Sequence, residues 1–178
     1  MDDNLQISPL RAEDIDPLIA LTRDTWMRHY TSIISVAQID YMLEQRYHPL
    51  VIREQLQRPD VWWDVLKRDD ELVAFAQYEW GTTPGHMKLD KLYVRYDLRG
   101  GGLGSLLLHH VENEARAKGA TRLYLQVNKN NASAIGAYRK NGFEVAESAV
   151  FDIGGGFVMD DHVMAKPLAP FAAGAATP

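Results

Sequence analysis

Along the first third of the chain, apolar side chains recur every three or four residues. This spacing places them on one face of a helix, so we predict an amphipathic helix after Pro9. The positions on this face are Ile15, Leu18, Ile19, Thr22 and Trp26. A short run before it, Leu5–Ser8, predicts a first strand.

A second helix is indicated by Ser35, which Gln38 follows at the spacing of a capping box. This helix is expected to run toward Arg46, and Pro49 then suits the start of a short third helix. The N-terminal third is therefore mainly helical.

Strand periodicity begins at Val61. Two runs rich in β-branched and aromatic residues flank an Asp69-Asp70 turn, and a third run follows them. The predicted strands are Val61–Lys67, Leu72–Trp80 and Leu89–Tyr96.

The second half alternates between the two periodicities. Gly102–Lys118 and Asn131–Lys140 have helical patterns that end at Gly119 and at Asn141-Gly142. Strands are predicted at Leu123–Val127, Phe143–Ile153 and Phe157–Lys166. The order strand, helix, strand, helix, strand, strand predicts an α/β fold whose mixed sheet has an antiparallel end.

Composition narrows the classes of function. The chain has 178 residues with 46% hydrophobic and 24% charged side chains, which is typical of a globular domain. Its net charge of −5 argues against a protein that coats nucleic acid, which would need a basic face. The absence of cysteine excludes disulfides and thiolate metal sites.

The start of the sequence, MDDNLQIS, does not have the basic and apolar regions of a signal peptide. The apolar runs are also far shorter than the ~20 residues that span a bilayer. We therefore expect a soluble, cytoplasmic protein without a membrane partner.

The most informative segment follows the predicted strand that ends near Val94. Four glycines fall within five residues, Gly100-Gly101-Gly102-Leu103-Gly104, and a helix then begins. Glycine lets the backbone approach a ligand closely, and the first N–H groups of a helix bind anions. With Arg99 beside it, this loop predicts a phosphate or diphosphate site.

Two nucleotide-binding motifs do not fit this loop. A dinucleotide fold requires G-x-G-x-x-G, but Leu107 stands where the third glycine would be. A P-loop requires lysine before its Ser or Thr, but Ser105 directly follows Gly104. A plain turn from strand to helix is the remaining alternative.

The pattern Arg99-x-x-Gly102-x-Gly104 resembles the diphosphate loop of the GCN5-related N-acetyltransferases, which transfer an acetyl group from acetyl-CoA to an amine. A second stretch, Asn131–Phe143, is similar to the family's Asn-x-x-Ala-x-x-x-Tyr-x-x-x-Gly-Phe segment. Taken alone, Asn131 could simply cap a helix and Tyr138 could pack against the sheet. The two motifs occur in family order, which favours the resemblance.

The resemblance implies a mixed central sheet with a V-shaped split between the fourth and fifth strands and helices on both faces. It also implies one N-acetyltransferase domain over residues 1–168. Residues 169–178 are rich in Ala, Gly and Pro and carry no charged side chain, so we expect a flexible tail there. The run Lys91–Val94, the N-terminal helices and the closing hairpin look like the PaiA-type polyamine acetyltransferases.

The resemblance further implies where acetyl-CoA binds. The pantetheine arm would bind the strand end, where the Val94 N–H would polarise the thioester carbonyl. Asn131 would bind the pantetheine or the diphosphate edge, and Tyr138 would sit beside the sulfur as the proton donor to the thiolate. The full set implied for acetyl-CoA is Leu92, Tyr93, Val94, Arg99, Gly100, Gly101, Gly102, Leu103, Gly104, Ser105, Asn131 and Tyr138.

The proton acceptor is less clearly marked. Relatives often place a carboxylate six residues before the position of Val94, but this chain has Lys88 there. Asp90 lies on the same predicted strand and is the candidate base, with Glu79 on the preceding strand as the second candidate. A solvated or ion-paired carboxylate is the alternative for both.

Two other groups are given structural interpretations. Asp160-Asp161-His162 is expected to lie at the surface rather than to bind a metal, and no metal is expected anywhere. Trp26 is expected to pack in the core, with an ammonium-binding pocket that includes Asp24 as the alternative.

The predicted function is acetyl-CoA-dependent N-acetylation of a primary amine in a small molecule such as a polyamine. A peptide or protein N-acetyltransferase is one alternative, and a non-catalytic acyl-CoA-binding regulatory module is the other. The expected partner is a small-molecule amine acceptor, and a homodimer is left open.

Overall fold

The structure is a computed structural model that describes residues 4–171. The predicted tail over 169–178 therefore lies outside the described residues from 172 onward. The chain forms two compact units. The first contains the described part of Met1–Gln77 together with Lys91–Leu107, and the second contains Tyr78–Asp90 together with the described part of Leu108–Pro178.

Within residues 4–171, seven strands form one sheet in the order β1-β2-β3-β4-β5-β7-β6. They are β1 (Leu5–Pro9), β2 (Val61–Arg68), β3 (Glu71–Trp80), β4 (His86–Val94), β5 (Arg122–Asn128), β6 (Glu144–Gly154) and β7 (Phe157–Pro167). Strand β4 pairs with β5 in parallel, whereas β5 with β7 and β6 with β7 pair antiparallel. The predicted mixed sheet with an antiparallel end is confirmed.

Five α-helices accompany the sheet in the described part of the chain. They are α1 (Ile15–His29), α2 (Val36–Tyr47), α3 (Pro49–Gln55), α4 (Leu103–Ala117) and α5 (Ala132–Lys140). The Ser35 side chain accepts a hydrogen bond from the Gln38 N–H, so the predicted cap of α2 is present. No helix within residues 4–171 is long and apolar enough to cross a membrane.

The pairing of β4 with β5 runs from His86–Arg122 to Lys88–Tyr124, although β4 continues to Val94 and β5 to Asn128. This is the predicted split. Strand β4 begins three residues earlier than the sequence indicated, at His86, because the His86 N–H bonds to the Thr83 carbonyl and closes the hairpin with β3.

Strand β4 also contains one extra residue relative to β3. The Gly81 N–H bonds to the His86 carbonyl, and extending this pairing along both strands would place Val94 opposite Val73. Instead, the Arg95 N–H bonds to the Val73 carbonyl. Such a shift by one residue marks a β-bulge.

Helices cover both faces of the end of β4 within the first unit. Successive strand residues point to opposite faces. On one face, the Tyr93 ring lies 5.7 Å from the Trp26 ring of α1. On the other, a Cβ added at Gly104 of α4 would lie 3.6 Å from Val94 Cγ2 and 3.9 Å from Leu92 Cδ2.

In the second unit, a buried charge joins α4 to β7. Glu112 of α4 is 2% exposed, and its Oε1 accepts a 2.9 Å hydrogen bond from Lys166 Nζ. The same ammonium group donates to the Asn141 carbonyl at the end of α5. The buried Glu112–Lys166 pair therefore holds α4, β7 and the end of α5 together.

Candidate active site

The glycine loop lies between β4 and α4 in the first unit. A 3₁₀ turn, Tyr96–Leu98, follows β4 and explains why the strand ends at Val94 rather than at the predicted Tyr96. Gly100 and Gly102 have φ angles of +80° and +85°, which side-chain-bearing residues rarely adopt. A Cβ added at either would meet no atom within 4 Å, so open space adjoins the loop.

Helix α4 starts directly from this loop. The Leu106 N–H bonds to the Gly102 carbonyl, which makes Gly102 the residue that caps the helix. The N–H groups of Leu103 and Gly104 therefore fall in the first turn, where a helix has no internal acceptor and its dipole is positive. A backbone with this geometry suits a diphosphate.

Arginine side chains add positive charge around the loop. The guanidinium carbons of Arg99 and Arg28 lie 5.7 and 5.5 Å from the centre of the Tyr96 ring. Arg95 instead binds carboxylates: its Nε lies 2.8 Å from Asp97, and its Nη1 lies 2.8 Å from Glu71. The hydrogen bond from Arg95 lowers the pKa of Asp97.

Three residues of the implied acetyl-CoA set lie at the end of β4. Leu92 and Val94 contact the face on which Gly104 packs. The Tyr93 side chain points the other way and packs against Trp26 and Phe75, at 5.7 Å from each ring. Any contact of Tyr93 with the pantetheine arm would therefore come from its backbone.

In the second unit, Asn131 caps α5. Its Oδ1 accepts a hydrogen bond from the Ala134 N–H, and the residue is 3% exposed. Tyr138 is half-buried two turns further along, and its ring lies 5.7 Å from that of Phe143 in an edge-to-face contact. The cap weighed from the sequence is therefore present at Asn131, and Tyr138 packs against the residue that directly precedes β6.

Asp90, the candidate base, lies in the second unit with a cation beside it. Lys88 Nζ is 3.0 Å from Asp90 Oδ1, and their side chains are 21% and 10% exposed. Lys88 is paired across the parallel ladder with Tyr124 of β5. Sequence reasoning did not select Tyr124, because only the tertiary pairing of β4 with β5 brings it to this position.

Trp26 packs in the core of the first unit. It is 2% exposed, and its ring lies 5.5 Å from Tyr47. The aromatic cluster around it holds the chain's own Lys91, whose Nζ lies 5.4 Å from the Tyr47 ring and 5.2 Å from the Trp63 ring. Asp24, the charged residue of the alternative interpretation, forms an exposed ion pair with Arg28.

The Asp160-Asp161-His162 segment lies only partly at the surface. Asp160 forms an ion pair with Lys129, and His162 Nδ1 shares a 2.7 Å hydrogen bond with Ser148 Oγ. Asp161, however, is 6% exposed. The surface expectation is therefore wrong for Asp161, because the alternation of β7 turns this residue inward.

A family model described as the acetyltransferase (GNAT) family matches residues 21–143. The spermidine N(1)-acetyltransferase of Thermoplasma acidophilum is 25% identical over 161 residues, which cover 88% of this chain and 96% of that relative. An IAA acetyltransferase of Azospirillum brasilense is 33% identical over 90 residues, but this match spans only 51% of this chain and 59% of the relative.

Among solved structures, the PaiA N-acetyltransferase from Thermoplasma acidophilum in complex with coenzyme A superposes with a TM-score of 0.80. The alignment covers 92% of this chain and 99% of that one at 24% identity, so it supports the fold. The predicted similarity to PaiA-type proteins is confirmed. Since the family model covers well over half of the sequence, the chain belongs to the acetyltransferase (GNAT) family and is an N-acetyltransferase whose acetyl donor is acetyl-CoA.

Proposed function

We propose that this enzyme acetylates the primary amine of a small molecule, such as a polyamine. The observation that carries this proposal is the similarity to the spermidine N(1)-acetyltransferase, which extends over nearly the whole of both chains. The IAA acetyltransferase match shows that relatives differ in acceptor, so the polyamine is part of the proposal.

Acetyl-CoA is assigned to the end of β4 and to the residues of the two sequence motifs. In the first unit, the backbone of Leu92–Val94 binds the pantetheine arm, and Arg99 with the amides of Gly100–Ser105 binds the diphosphate. The positive φ angles and open space at Gly100 and Gly102 support this assignment. Asn131 is assigned to the pantetheine or the diphosphate edge, and Tyr138 is assigned to the sulfur.

The reaction joins the amine nitrogen to the thioester carbonyl carbon and breaks the carbon–sulfur bond. Charge builds on the carbonyl oxygen during the attack, and a fixed N–H group, assigned to Val94, stabilises it. The leaving thiolate takes a proton from the Tyr138 hydroxyl, whose acidity suits that of a thiol.

The acceptor is an ammonium ion at neutral pH, so it must lose a proton before it attacks. Asp90 is assigned as the group that accepts this proton, directly or through a water molecule. Its ion pair with Lys88 supports a charged carboxylate at this position, since a nearby cation favours the ionised form.

The proposal places the enzyme in the cytoplasm, with a small-molecule amine as its partner and without a role for nucleic acid or a membrane. A homodimer is compatible with it. The net charge of −5 agrees with a cationic acceptor, because opposite charge favours the encounter.

The deciding experiment measures CoA release from acetyl-CoA across a panel of polyamines, amino acids and peptides. We expect the highest kcat/KM with a polyamine or another small amine. A preference for peptides would replace this proposal with a peptide or protein N-acetyltransferase. Tight binding of acetyl-CoA without transfer to any amine would instead indicate a non-catalytic acyl-CoA-binding module.

A further inference from the structure

Three neighbouring strands of the second unit bring four ionisable side chains together. They are Glu79 of β3, Lys88 and Asp90 of β4, and Tyr124 of β5, here called the β3–β5 cluster. Lys88 Nζ lies 3.0 Å from Asp90 Oδ1, and Lys88 faces Tyr124 across the ladder. Glu79, Lys88 and Asp90 all act electrostatically on the Tyr124 hydroxyl.

The position of the Tyr124 ring depends on a glycine. A Cβ added at Gly81 would lie 2.7 Å from the Tyr124 hydroxyl oxygen and 2.9 Å from its Cε1. Real Cβ atoms essentially never approach so closely, so only glycine at position 81 allows the phenol to lie across β4 toward the end of β3.

The phenol stays protonated under ordinary conditions. Burial is the main cause that raises the pKa of Tyr124 above its usual value of 10.0; the Lys88 ammonium opposes this, whereas the Glu79 and Asp90 carboxylates add to it. A protonated phenol donates one hydrogen bond and accepts others. It can bind an amine, but it cannot serve as the base.

The charges of the cluster suit one ammonium group. Two carboxylates and one ammonium leave a net charge of −1, which a single positive charge neutralises. The side chains of Lys88 and Asp90 are 21% and 10% exposed, so water only partly screens the cluster. A cluster of half-buried ionisable groups in an enzyme is a typical feature of a functional site.

We propose that Tyr124 is an acceptor-binding residue, whose hydroxyl oxygen accepts a hydrogen bond from the acceptor ammonium while Asp90 and Glu79 supply the opposite charge. This inference rests on the proposed function, because it concerns the amine of that reaction. It adds Tyr124 of β5 to the residues that are assigned to the reaction. The group that Tyr124 would bind is a primary ammonium.

Tyr124→Phe tests the inference, with Tyr41→Phe on α2 as the matched control. In Tyr124→Phe we expect the KM for the amine to rise about 10-fold, equivalent to about 1.4 kcal/mol, with kcat within about threefold. The pH profile should keep its parental shape, because a protonated phenol is not the base. The acetyl-CoA Kd, measured by calorimetry, should not change, and Tyr41→Phe should behave as the parent enzyme.

A second variant displaces the hydroxyl without removing it. Gly81→Ala forces the Tyr124 ring away from its position, so the KM for the amine should rise as it does in Tyr124→Phe. Parental KM values in both variants would overturn the inference. So would a rise in KM that is matched by a loss of acetyl-CoA affinity or of melting temperature, since that pattern indicates a structural role.

If the proposed function is wrong, the parent enzyme transfers acetyl to no amine. The inference about Tyr124 is then tested by a binding measurement that does not depend on acetyl transfer. In protein labelled with ¹³Cζ-tyrosine, the Tyr124 resonance is identified by its absence in Tyr124→Phe. Addition of propylamine or spermidine to the CoA complex should shift this resonance and not that of Tyr41, and the absence of a shift would overturn the inference.

Discussion

Lys91 Nζ donates a 3.0 Å hydrogen bond to Gln77 Oε1, and both side chains are buried in the first unit. Lys91 is 4% exposed and also lies over the Tyr47 and Trp63 rings, where cation–π attraction helps to keep the ammonium inside the protein. The ammonium group of Lys91 therefore lies within the aromatic cluster of the first unit.

The first prediction follows from this contact. Lys91→Ala removes the packing of the side chain and leaves Gln77 without this donor, so the free energy of unfolding should fall by about 3 kcal/mol. Chemical denaturation measures the change. Lys140→Ala, at an exposed position near the end of α5, is the control and should stay within about 0.5 kcal/mol.

A double variant checks the cause. Replacing both partners of a buried hydrogen bond by apolar groups of similar size costs much less than removing one. Lys91→Met combined with Gln77→Leu should therefore be more stable than Lys91→Met alone. If the double variant were the less stable of the two, the buried hydrogen bond would not explain the effect.

The second prediction concerns the glycine loop. Gly102→Val should weaken acetyl-CoA binding at least ~10-fold, because a side chain would fill the open space beside the loop and disfavour its positive φ. Gly119→Val is the matched control, since Gly119 has a φ of +89° and similarly open surroundings but lies after α4. Both variants should lose stability, whereas only Gly102→Val should lose affinity by calorimetry.

The third prediction concerns Tyr138. Tyr138→Phe keeps the ring against Phe143 but removes the hydroxyl, so acetyl-CoA affinity should change little. If the hydroxyl protonates the thiolate, kcat should fall about 10²–10⁴-fold. Stopped-flow measurement of CoA release checks this, and parental turnover would leave Tyr138 with its packing role alone.

The fourth prediction concerns proton removal. The kcat/KM should rise with pH, since more acceptor arrives as free amine. Asp90→Asn should lower kcat/KM most strongly near pH 7, and higher pH should partly restore it. Glu79→Gln is the comparison variant for the second carboxylate. If Asp90 only binds the ammonium group of the acceptor, Asp90→Asn should raise the KM for the amine, and higher pH should restore little of the lost kcat/KM.

The sequence by itself determined the two motifs that reveal the family. The Arg99–Ser105 loop and the Asn131–Phe143 segment each lie on a strand, loop and helix that are contiguous in the chain, so their spacing is readable without tertiary structure. Positive φ at Gly100 and Gly102 was foreseeable for the same reason, because glycine is the residue that adopts it readily. The element order likewise predicted the mixed sheet.

Tertiary structure alone decided which side chains meet. Lys91 and Gln77 come from different strands, and Tyr124 reaches Gly81 from a strand that follows a whole helix later in the chain. The burial of Asp161 depends on the register of β7. Local periodicity cannot encode these contacts, because strand pairing between distant segments and a one-residue shift in register decide which face each side chain occupies.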